Sequence, residues 1–362
     1  MKILSLFDGI ACGYEALINA RIKIDLYLAS EIDNDAIRIA QFNHPDIIEI
    51  GDVRNVFYRR YKYEDSKNVD GVLNFASGGG IAFEDSIDLL IGGSPCTNFS
   101  SIGYAQGMKT GNVDVTSLEQ YLELKRNGAQ FEGQSYLFWE YVRLLCEVKP
   151  KWFLLENVEM SKKWESIVTN ALGVEPIRIN SSLVSAQNRP RLYWTNIKGV
   201  TIPKNRNVML LDVLDKKTKQ NEIDVINCMT IQNAIPKLVK KYGYLPSMFN
   251  AYNVKEIIDK ACALSRGSMI TSSCAVTLFV RNERGVHKVI NGIMDEKWPT
   301  RLDDGLYNLR RLSIKEMERL QTMRDGYVDD LSLSTSKKGQ MLGNGWTVEV
   351  ISHIFSFLNQ GD

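Results

Sequence analysis

Short apolar runs alternate with helix-like stretches along the first half of the chain. Residues 2–7, 26–30 and 47–50 read as β-strands, with helical patterns at 13–20 and 33–42 between them. The alternation resumes with a fully apolar run at 87–91, a helix at 136–148, a strand at 152–155 and a helix at 160–172. Strands near 177–180 and 192–197 finish the series. This β-α-β-α rhythm predicts an α/β fold built on a parallel, doubly wound sheet.

After Gly199 the rhythm breaks into short, mixed, Asn- and Lys-rich pieces punctuated by Pro203, Pro236, Pro246 and Pro299. A helical pattern returns at 314–323, and 348–358 reads as a closing helix that packs back on the first domain. The expected organisation is one domain of residues 1–198 and 311–362 and a second, smaller domain of residues 199–310. Residues 103–134 stand apart, rich in Gly, Gln, Asn and Thr. A connection of that length leaving the carboxyl end of a strand predicts a mobile, structureless loop over a ligand site.

Composition narrows the class. The 362 residues suit two domains, and 44% hydrophobic with 24% charged residues excludes disordered, collagen-like and coiled-coil chains. No run approaches the roughly 18 apolar residues of a membrane span, and the first residues carry no secretory signal, which predicts a cytosolic protein and no membrane partner. Cysteines at 12, 96, 146, 228, 262 and 274 have neither disulfide-framework nor zinc-site spacing. The net charge of +1 hides an uneven distribution. Residues 1–194 hold 20 basic and 25 acidic side chains, 195–310 hold 18 and 11, and 311–362 hold 6 and 7, giving −5, +7 and −1. A basic middle segment fits a module that meets phosphates, and fits a solvated face equally well.

The candidate chemistry gathers at strand ends. Phe7-Asp8-Gly9-Ile10-Ala11-Cys12-Gly13 links the first strand to a helix. It lacks the dinucleotide fingerprint, so an ordinary glycine-rich turn and a nucleotide-like ligand site are both open. The next strand ends in Glu31, followed by Ile32, where Rossmann-like folds put a carboxylate on ribose hydroxyls, and the third is followed by Asp52 and Val53, an acid suited to an adenine amino group. Three acids at successive strand ends fit an adenosine-containing ligand without a pyrophosphate, such as S-adenosylmethionine.

Gly92-Gly93-Ser94-Pro95-Cys96 ends the apolar strand, so the Cys96 thiol is either a nucleophile on a tight turn or a buried structural cysteine. Glu156, in Leu155-Glu156-Asn157-Val158, is either a solvated strand terminus or a desolvated acid able to protonate a substrate nitrogen. Arg189 and Arg191, in Gln187-Asn188-Arg189-Pro190-Arg191, supply two guanidinium groups. His44, His287 and His353 share no ligand spacing, so no metal is expected. Neither a P-loop nor a nucleophile elbow occurs.

Taken in order, these segments resemble the cytosine-C5 DNA methyltransferase family over nearly the whole chain apart from the middle module. Phe7-Asp8-Gly9 resembles the first cofactor motif, Ser94-Pro95-Cys96 the Pro-Cys nucleophile motif, Glu156-Asn157-Val158 the E-N-V motif and Gln187 to Arg191 the Q-x-R-x-R motif. Arg311-Leu312-Ser313 through Glu318-Arg319-Leu320-Gln321 is similar to the R-x-L-T-x-x-E-x-x-R-L-Q segment, and Gly343-Asn344 through Val348 to the closing G-N-x-V segment. The wording around Phe7, Glu31 and Cys96 looks most like the animal de novo branch, while the bare core and composition fit a free-standing bacterial or bacteriophage enzyme. Thr97-Asn98 replaces the Gln that follows the nucleophile in many bacterial members, and the loop at 103–134 is longer than the family expectation.

The resemblance implies a Rossmann-like S-adenosylmethionine-dependent methyltransferase sheet beside a target-recognition domain. It implies Cys96, Glu156, Arg189 and Arg191 as catalytic residues. Phe7, Asp8, Gly9, Ile10, Glu31, Ile32, Asp52, Val53, Asn344 and Trp346 would hold S-adenosyl-L-methionine, leaving S-adenosyl-L-homocysteine as product. The partner implied is double-stranded DNA, read by residues 199–310, with a cognate restriction endonuclease linked by function rather than contact. Rival readings are a tRNA cytosine-5 methyltransferase, a non-catalytic DNA-binding homologue and a small-molecule methyltransferase. The late motifs and the joint presence of Cys96, Glu156 and Arg191 weigh against the last two. Oligomeric state has no signal in the sequence.

Overall fold

A computed structural model describes residues 1–62, 69–75, 79–83, 86–95, 108–215, 223, 228–264, 276–294, 297–330 and 332–358. It divides into two compact units, one of Met1–Asn180, Pro190–Pro203 and Val348–Asp362, the other of Ser181–Arg189 and Lys204–Thr347.

The first unit is built on a seven-stranded sheet. Its strands are β1 (Lys2–Leu6), β2 (Leu26–Ser30), β3 (Ile48–Glu49), β4 (Leu89–Gly92), β5 (Trp152–Val158), β6 (Ile177–Asn180) and β7 (Pro190–Thr195), in the order β6-β7-β5-β4-β1-β2-β3. All are parallel to their neighbours except β7, which runs antiparallel to β5 and β6. The near-continuous apolar runs of β1, β4 and β5 follow from burial on both faces. Helix α1 (Cys12–Asn19) follows β1 and packs against the closing helix Val348–Phe355. Helix α2 (Asn34–Asn43) starts at Asp33, whose side chain caps it by accepting from the Asp35 N–H.

Within the first unit, two segments depart from the sequence reading. First, the connection between β3 and β4 carries a three-stranded antiparallel meander, Phe57–Lys62, Val69–Asn74 and Gly80–Phe83. Its Tyr58 and Leu73 join a core shared with Phe138, Trp139 and Tyr141. Second, the loop expected at 103–134 is, over its described residues from 108 onward, ordered structure. Lys109–Thr110 and Val113–Asp114 form a hairpin, and α3 (Leu118–Arg126) starts at Ser117, whose hydroxyl caps the Gln120 N–H. Met108, Val115 and Tyr121 are buried, which supplies the apolar anchors that the polar composition concealed. Tyr121 donates to Glu140 of α4 (Phe138–Val148), which also binds Lys125 at 2.5 Å and Arg143 at 2.7 Å. Residues 103–107 lie outside the described residues.

The second unit holds a separate seven-stranded antiparallel sheet, with Gly305–Arg311 pairing on one side with Thr277–Arg281 and on the other with His287–Ile290. Helix Met229–Tyr242 buries Ile231, Ala234, Ile235 and Leu238 in the core with Phe249, Phe279 and Leu309. Residues 311–347, which the sequence groups with residues 1–198, pack within this unit. A buried ion pair at the start of this stretch is tied into the unit, since Glu316 accepts from the Asp215 N–H and Arg310 donates to the Asp215 carbonyl. The strand Gly305–Arg311 runs directly into helix Ile314–Leu320, and Arg310 grips Glu316 with both terminal nitrogens at 2.8 and 2.7 Å. Ser313 and Glu316 complete a capping box on the same helix. The buried arginine is thus Arg310, while Arg311, where the motif match begins, is only partly buried.

Candidate active site

The turn after β1 carries three residues with left-handed backbone, Phe7 (φ 58°), Gly9 (φ 63°) and Ala11 (φ 61°). For Phe7 and Ala11 this conformation costs energy, and such strain collects where a chain must present its backbone to a ligand. The turn is tied to the next strand end from two sides. Asp8 N–H donates to the Ser30 carbonyl at 3.2 Å, and Gly9 N–H donates to Glu31 Oε2 at 2.8 Å. The other oxygen of Glu31 accepts from Ile32 N–H at 2.7 Å and Asp33 N–H at 2.9 Å. One carboxylate therefore aligns the turns after β1 and β2.

The Asp8 carboxyl accepts from Ser5 Oγ at 2.5 Å and from the Tyr27 hydroxyl at 2.7 Å, both through Oδ1. Its Oδ2 is buried and has no hydrogen-bond partner among the described residues. Burial pushes this acid up to about 6, against the pull of those two donors. Strand register carries the same sheet face outward from Ser5 through Ala29 to Glu49. Both Glu49 carboxyl oxygens are also buried without a partner among the described residues, and burial, aided by Asp8 and Glu31, raises this acid to about 8. The sequence reading passed over Glu49, although an acid inside the apolar run 47–50 is the same signal that marked Glu156.

Asp52 caps the turn Val53–Asn55 and binds Arg54 Nε at 2.9 Å. Burial opposes ionisation of Asp52, but the bonds from Arg54 outweigh it and hold the carboxyl below its usual range. Ile10 and Val53 are buried, Phe7 is half-buried and Ile32 is exposed.

The second cluster lies at the carboxyl ends of β4 and β5 and the start of β7. Glu156 sits opposite Tyr193, and Val158 opposite Arg191, so Glu156 and Arg191 are diagonal neighbours on one face. Arg191 Nε reaches Glu156 Oε1 at 2.9 Å, with both side chains mostly buried. Asn157, one residue on, donates from Nδ2 to the Ser94 carbonyl at 3.2 Å and to the Ser94 hydroxyl at 3.1 Å, while its Oδ1 accepts from Val158 N–H. Gly92 permits this convergence, since a Cβ there would lie 3.0 Å from the Leu6 carbonyl oxygen and from the Tyr141 ring. Cys96 itself lies outside the described residues.

The remaining three sequence candidates belong to the second unit. Arg189 is buried, and its guanidinium donates to the carbonyls of Leu264, Gly343 and Gly345. Asn344 is exposed at the end of helix Thr335–Asn344, and Trp346 is half-buried. Among the described residues no group of three or more His, Cys, Asp and Glu could hold a metal, and no helix is long and apolar enough to cross a membrane.

Comparison with known proteins supplies the family. Curated relatives include an orphan methyltransferase of Bacillus phage SPR, 27% identical over 261 residues, covering 66% of this chain and 49% of that protein. A type II methyltransferase of Neisseria gonorrhoeae is 28% identical over 176 residues, covering 48% and 38%. The chain thus spans half or less of the length of these relatives. Among solved structures, a methyltransferase of Entamoeba histolytica superposes with a TM-score of 0.60 at 12% identity, covering 99% of this chain and 98% of that one. The Dnmt2 methyltransferase of S. pombe gives 0.55 at 15%, with the same coverage. These two share the fold. The model of the C-5 cytosine-specific DNA methylase family matches residues 1–360, and the chain belongs to that family.

Proposed function

We propose that this chain is a DNA (cytosine-5)-methyltransferase acting on a cytosine swung out of double-stranded DNA. The observation that carries the reading is the convergence at one sheet edge of the Glu156–Arg191 pair at 2.9 Å and the Asn157–Ser94 tie, two residues before Cys96. A stacked base exposes neither face of carbon 5 or carbon 6, so the base must leave the helix, at a cost of a few kcal/mol.

The Cys96 thiolate adds to carbon 6 of the base, forming an S–C bond and pushing an electron pair toward N3 and carbon 5. Glu156 meets the charge at N3, donating a proton or sharing one, and Arg191 holds its carboxyl in place while binding O2. Carbon 5 becomes nucleophilic and gains the methyl group. Transfer of the carbon-5 proton to solvent then lets its bonding pair re-form the C5–C6 double bond, breaking the C6–S bond and releasing Cys96 as thiolate.

S-adenosyl-L-methionine supplies the electrophilic methyl group and leaves as S-adenosyl-L-homocysteine. The donor set suits it. The buried Oδ2 of Asp8, without a hydrogen-bond partner among the described residues, fits a cationic ammonium, and the turn with left-handed Phe7, Gly9 and Ala11 offers open backbone. Glu31 and Asp52, with Gly9, Ile10, Ile32 and Val53 beside them, suit the adenosine. A cytoplasmic location and a restriction or phage context accompany this reading.

The test is to express wild type beside Cys96→Ser and bisulfite-sequence the plasmid made in each host. Protected cytosines in a fixed context, present only with wild type, are expected. Their absence from a folded protein that binds S-adenosylmethionine overturns the reading.

A further inference from the structure

Three buried carboxyl oxygens in the first unit have no hydrogen-bond partner among the described residues, Oδ2 of Asp8 and both oxygens of Glu49. Strand register brings the two side chains to one sheet face. Ser5 of β1 pairs with Ala29 of β2, and Ala29 with Glu49 of β3, so at roughly 4.8 Å per strand Ser5 and Glu49 stand about 10 Å apart at the backbone. Asp8 reaches back to that face, where its Oδ1 accepts from Ser5 Oγ at 2.5 Å and from the hydroxyl of Tyr27, two residues before Ala29, at 2.7 Å. Asp8 and Glu49 therefore flank β2. The neighbouring acids are differently placed: Glu31 accepts from the N–H groups of Gly9, Ile32 and Asp33, Glu15 of α1 lies 3.2 Å from His44 Nε2, and Asp46 accepts from Tyr14, which stacks on His44.

An ionised carboxyl buried without a donor costs several kcal/mol, so it holds a proton or meets a cation. Two of them side by side make ionisation of both costlier still. Burial, opposed by the Ser5 and Tyr27 donors, leaves Asp8 at about 6, while burial and the charges of Asp8 and Glu31 raise Glu49 to about 8. Between those values Asp8 is a carboxylate and Glu49 a neutral acid. The Glu49 proton serves no hydrogen bond to the described residues, so an arriving positive charge removes it without breaking one.

We propose that Glu49 is a second acid of the site in which Asp8 takes a ligand's ammonium, and that it gives its proton to solvent when that ammonium arrives. Glu49 thereby makes the site answer to ligand charge, since the acid pair goes from one negative charge to two as one positive charge enters. The ligand class is a nucleoside bearing an amino-acid ammonium, and a nucleoside without one leaves the Glu49 proton in place. This rests on the function proposed above, and every group invoked belongs to the first unit. Glu49 acts in recognition and takes no part in methyl transfer.

Calorimetry of wild type and Glu49→Gln at pH 7.5, run in phosphate and in Tris, counts the protons exchanged on binding. The ligands are S-adenosyl-L-homocysteine, which carries the ammonium, and 5′-methylthioadenosine, which lacks it. Wild type should release roughly half a proton or more with the first ligand than with the second, and Glu49→Gln should lose that difference. Because binding favours the ionised acid, wild-type affinity for S-adenosyl-L-homocysteine should rise about tenfold from pH 6.5 to pH 8.5. Glu49→Gln should match wild type within about threefold at pH 6.5 and fall about tenfold behind at pH 8.5, whereas a merely structural loss would be equal at both. The wild-type comparison of the two ligands carries the test if Glu49→Gln does not fold. Equal proton release by the two proteins, or by the two ligands, overturns the proposal, as does binding of 5′-methylthioadenosine alone. A folded wild type that binds neither ligand overturns the functional reading itself, and the two failures are thereby distinguished.

Discussion

Asn157 and Ser94 bind one another from the ends of adjacent strands, with Asn157 Nδ2 at 3.2 Å from the Ser94 carbonyl and 3.1 Å from its hydroxyl. The two residues come from different motifs, and the bond gives the Pro-Cys turn and the E-N-V strand a common anchor. Asn157 thus fixes the segment after β4 to the end of β5.

It follows that Asn157→Ala removes the anchor without touching the reacting groups. Losing two buried bonds of about 1 kcal/mol each predicts a fall in kcat of about 10- to 100-fold, with cofactor affinity within about threefold of wild type. Steady-state kinetics beside calorimetry checks it, and an equal loss of cofactor affinity contradicts it.

Glu156→Gln keeps the shape of the side chain but cannot deliver a proton to N3 or carry the charge that Arg191 grips. The expected loss in kcat is about 10²- to 10⁴-fold, the usual range for a removed acid–base group. Binding of the duplex should persist, as measured by fluorescence anisotropy, because phosphate contacts dominate that affinity.

Glu49 makes a stability prediction whose sign is opposite to that of a paired carboxylate. Burial, then Asp8 and Glu31, raise its acid from 4.5 to about 8. Between those values the unfolded chain has released this proton and the folded chain retains it, so wild-type stability falls as pH rises through the window. Glu49→Gln cannot ionise in either state. The variant should gain on wild type steadily from pH 5 to pH 8, by about 2 kcal/mol once the full linkage figure is discounted for partial exposure, and by nothing further above that. Denaturant melts at pH 5, 7 and 8.5 read this directly; a gap independent of pH would sink the assignment of a buried, proton-holding Glu49.

Arg310 and Glu316 are both essentially inaccessible to solvent, so Glu316→Ala leaves a buried guanidinium without its carboxylate. A loss of about 3–5 kcal/mol is expected. Thermal melting should show it, and a melting temperature within a degree of wild type contradicts the assignment.

Much of the first unit was legible because burial on both faces writes itself as apolar runs. The strands at 2–7, 26–30 and 87–91 read from the sequence coincide closely with β1, β2 and β4. The meander was not legible: Gly71, Gly79 and Gly80, with Asn68 and Asn74, look like loop punctuation, and pairing between distant residues leaves no local period. Residues 108–134 misled for a related reason, since their polar composition hides three well-spaced anchors, Met108, Val115 and Tyr121. At the site, motif wording brought Glu156 and Arg191 together, but it gave no sign that the Arg189 guanidinium binds the distant carbonyls of Leu264, Gly343 and Gly345. The sequence shows two arginines two apart, while register sends them to different surroundings. Glu49 escaped because its burial, and its nearness to Asp8 and Glu31, come from strand pairing that no local pattern announces.

The central claim is a covalent bond between Cys96 and carbon 6 of a flipped cytosine. A duplex in which target cytosines carry fluorine at carbon 5 tests it, because fluorine cannot leave as the proton does and the adduct is held after methyl transfer. Incubated with S-adenosylmethionine and run on a denaturing gel, wild type should give a protein–DNA band that survives boiling in detergent, and Cys96→Ser none. A wild type that methylates ordinary DNA yet forms no such band, or a Cys96→Ser variant that still forms it, would contradict the account.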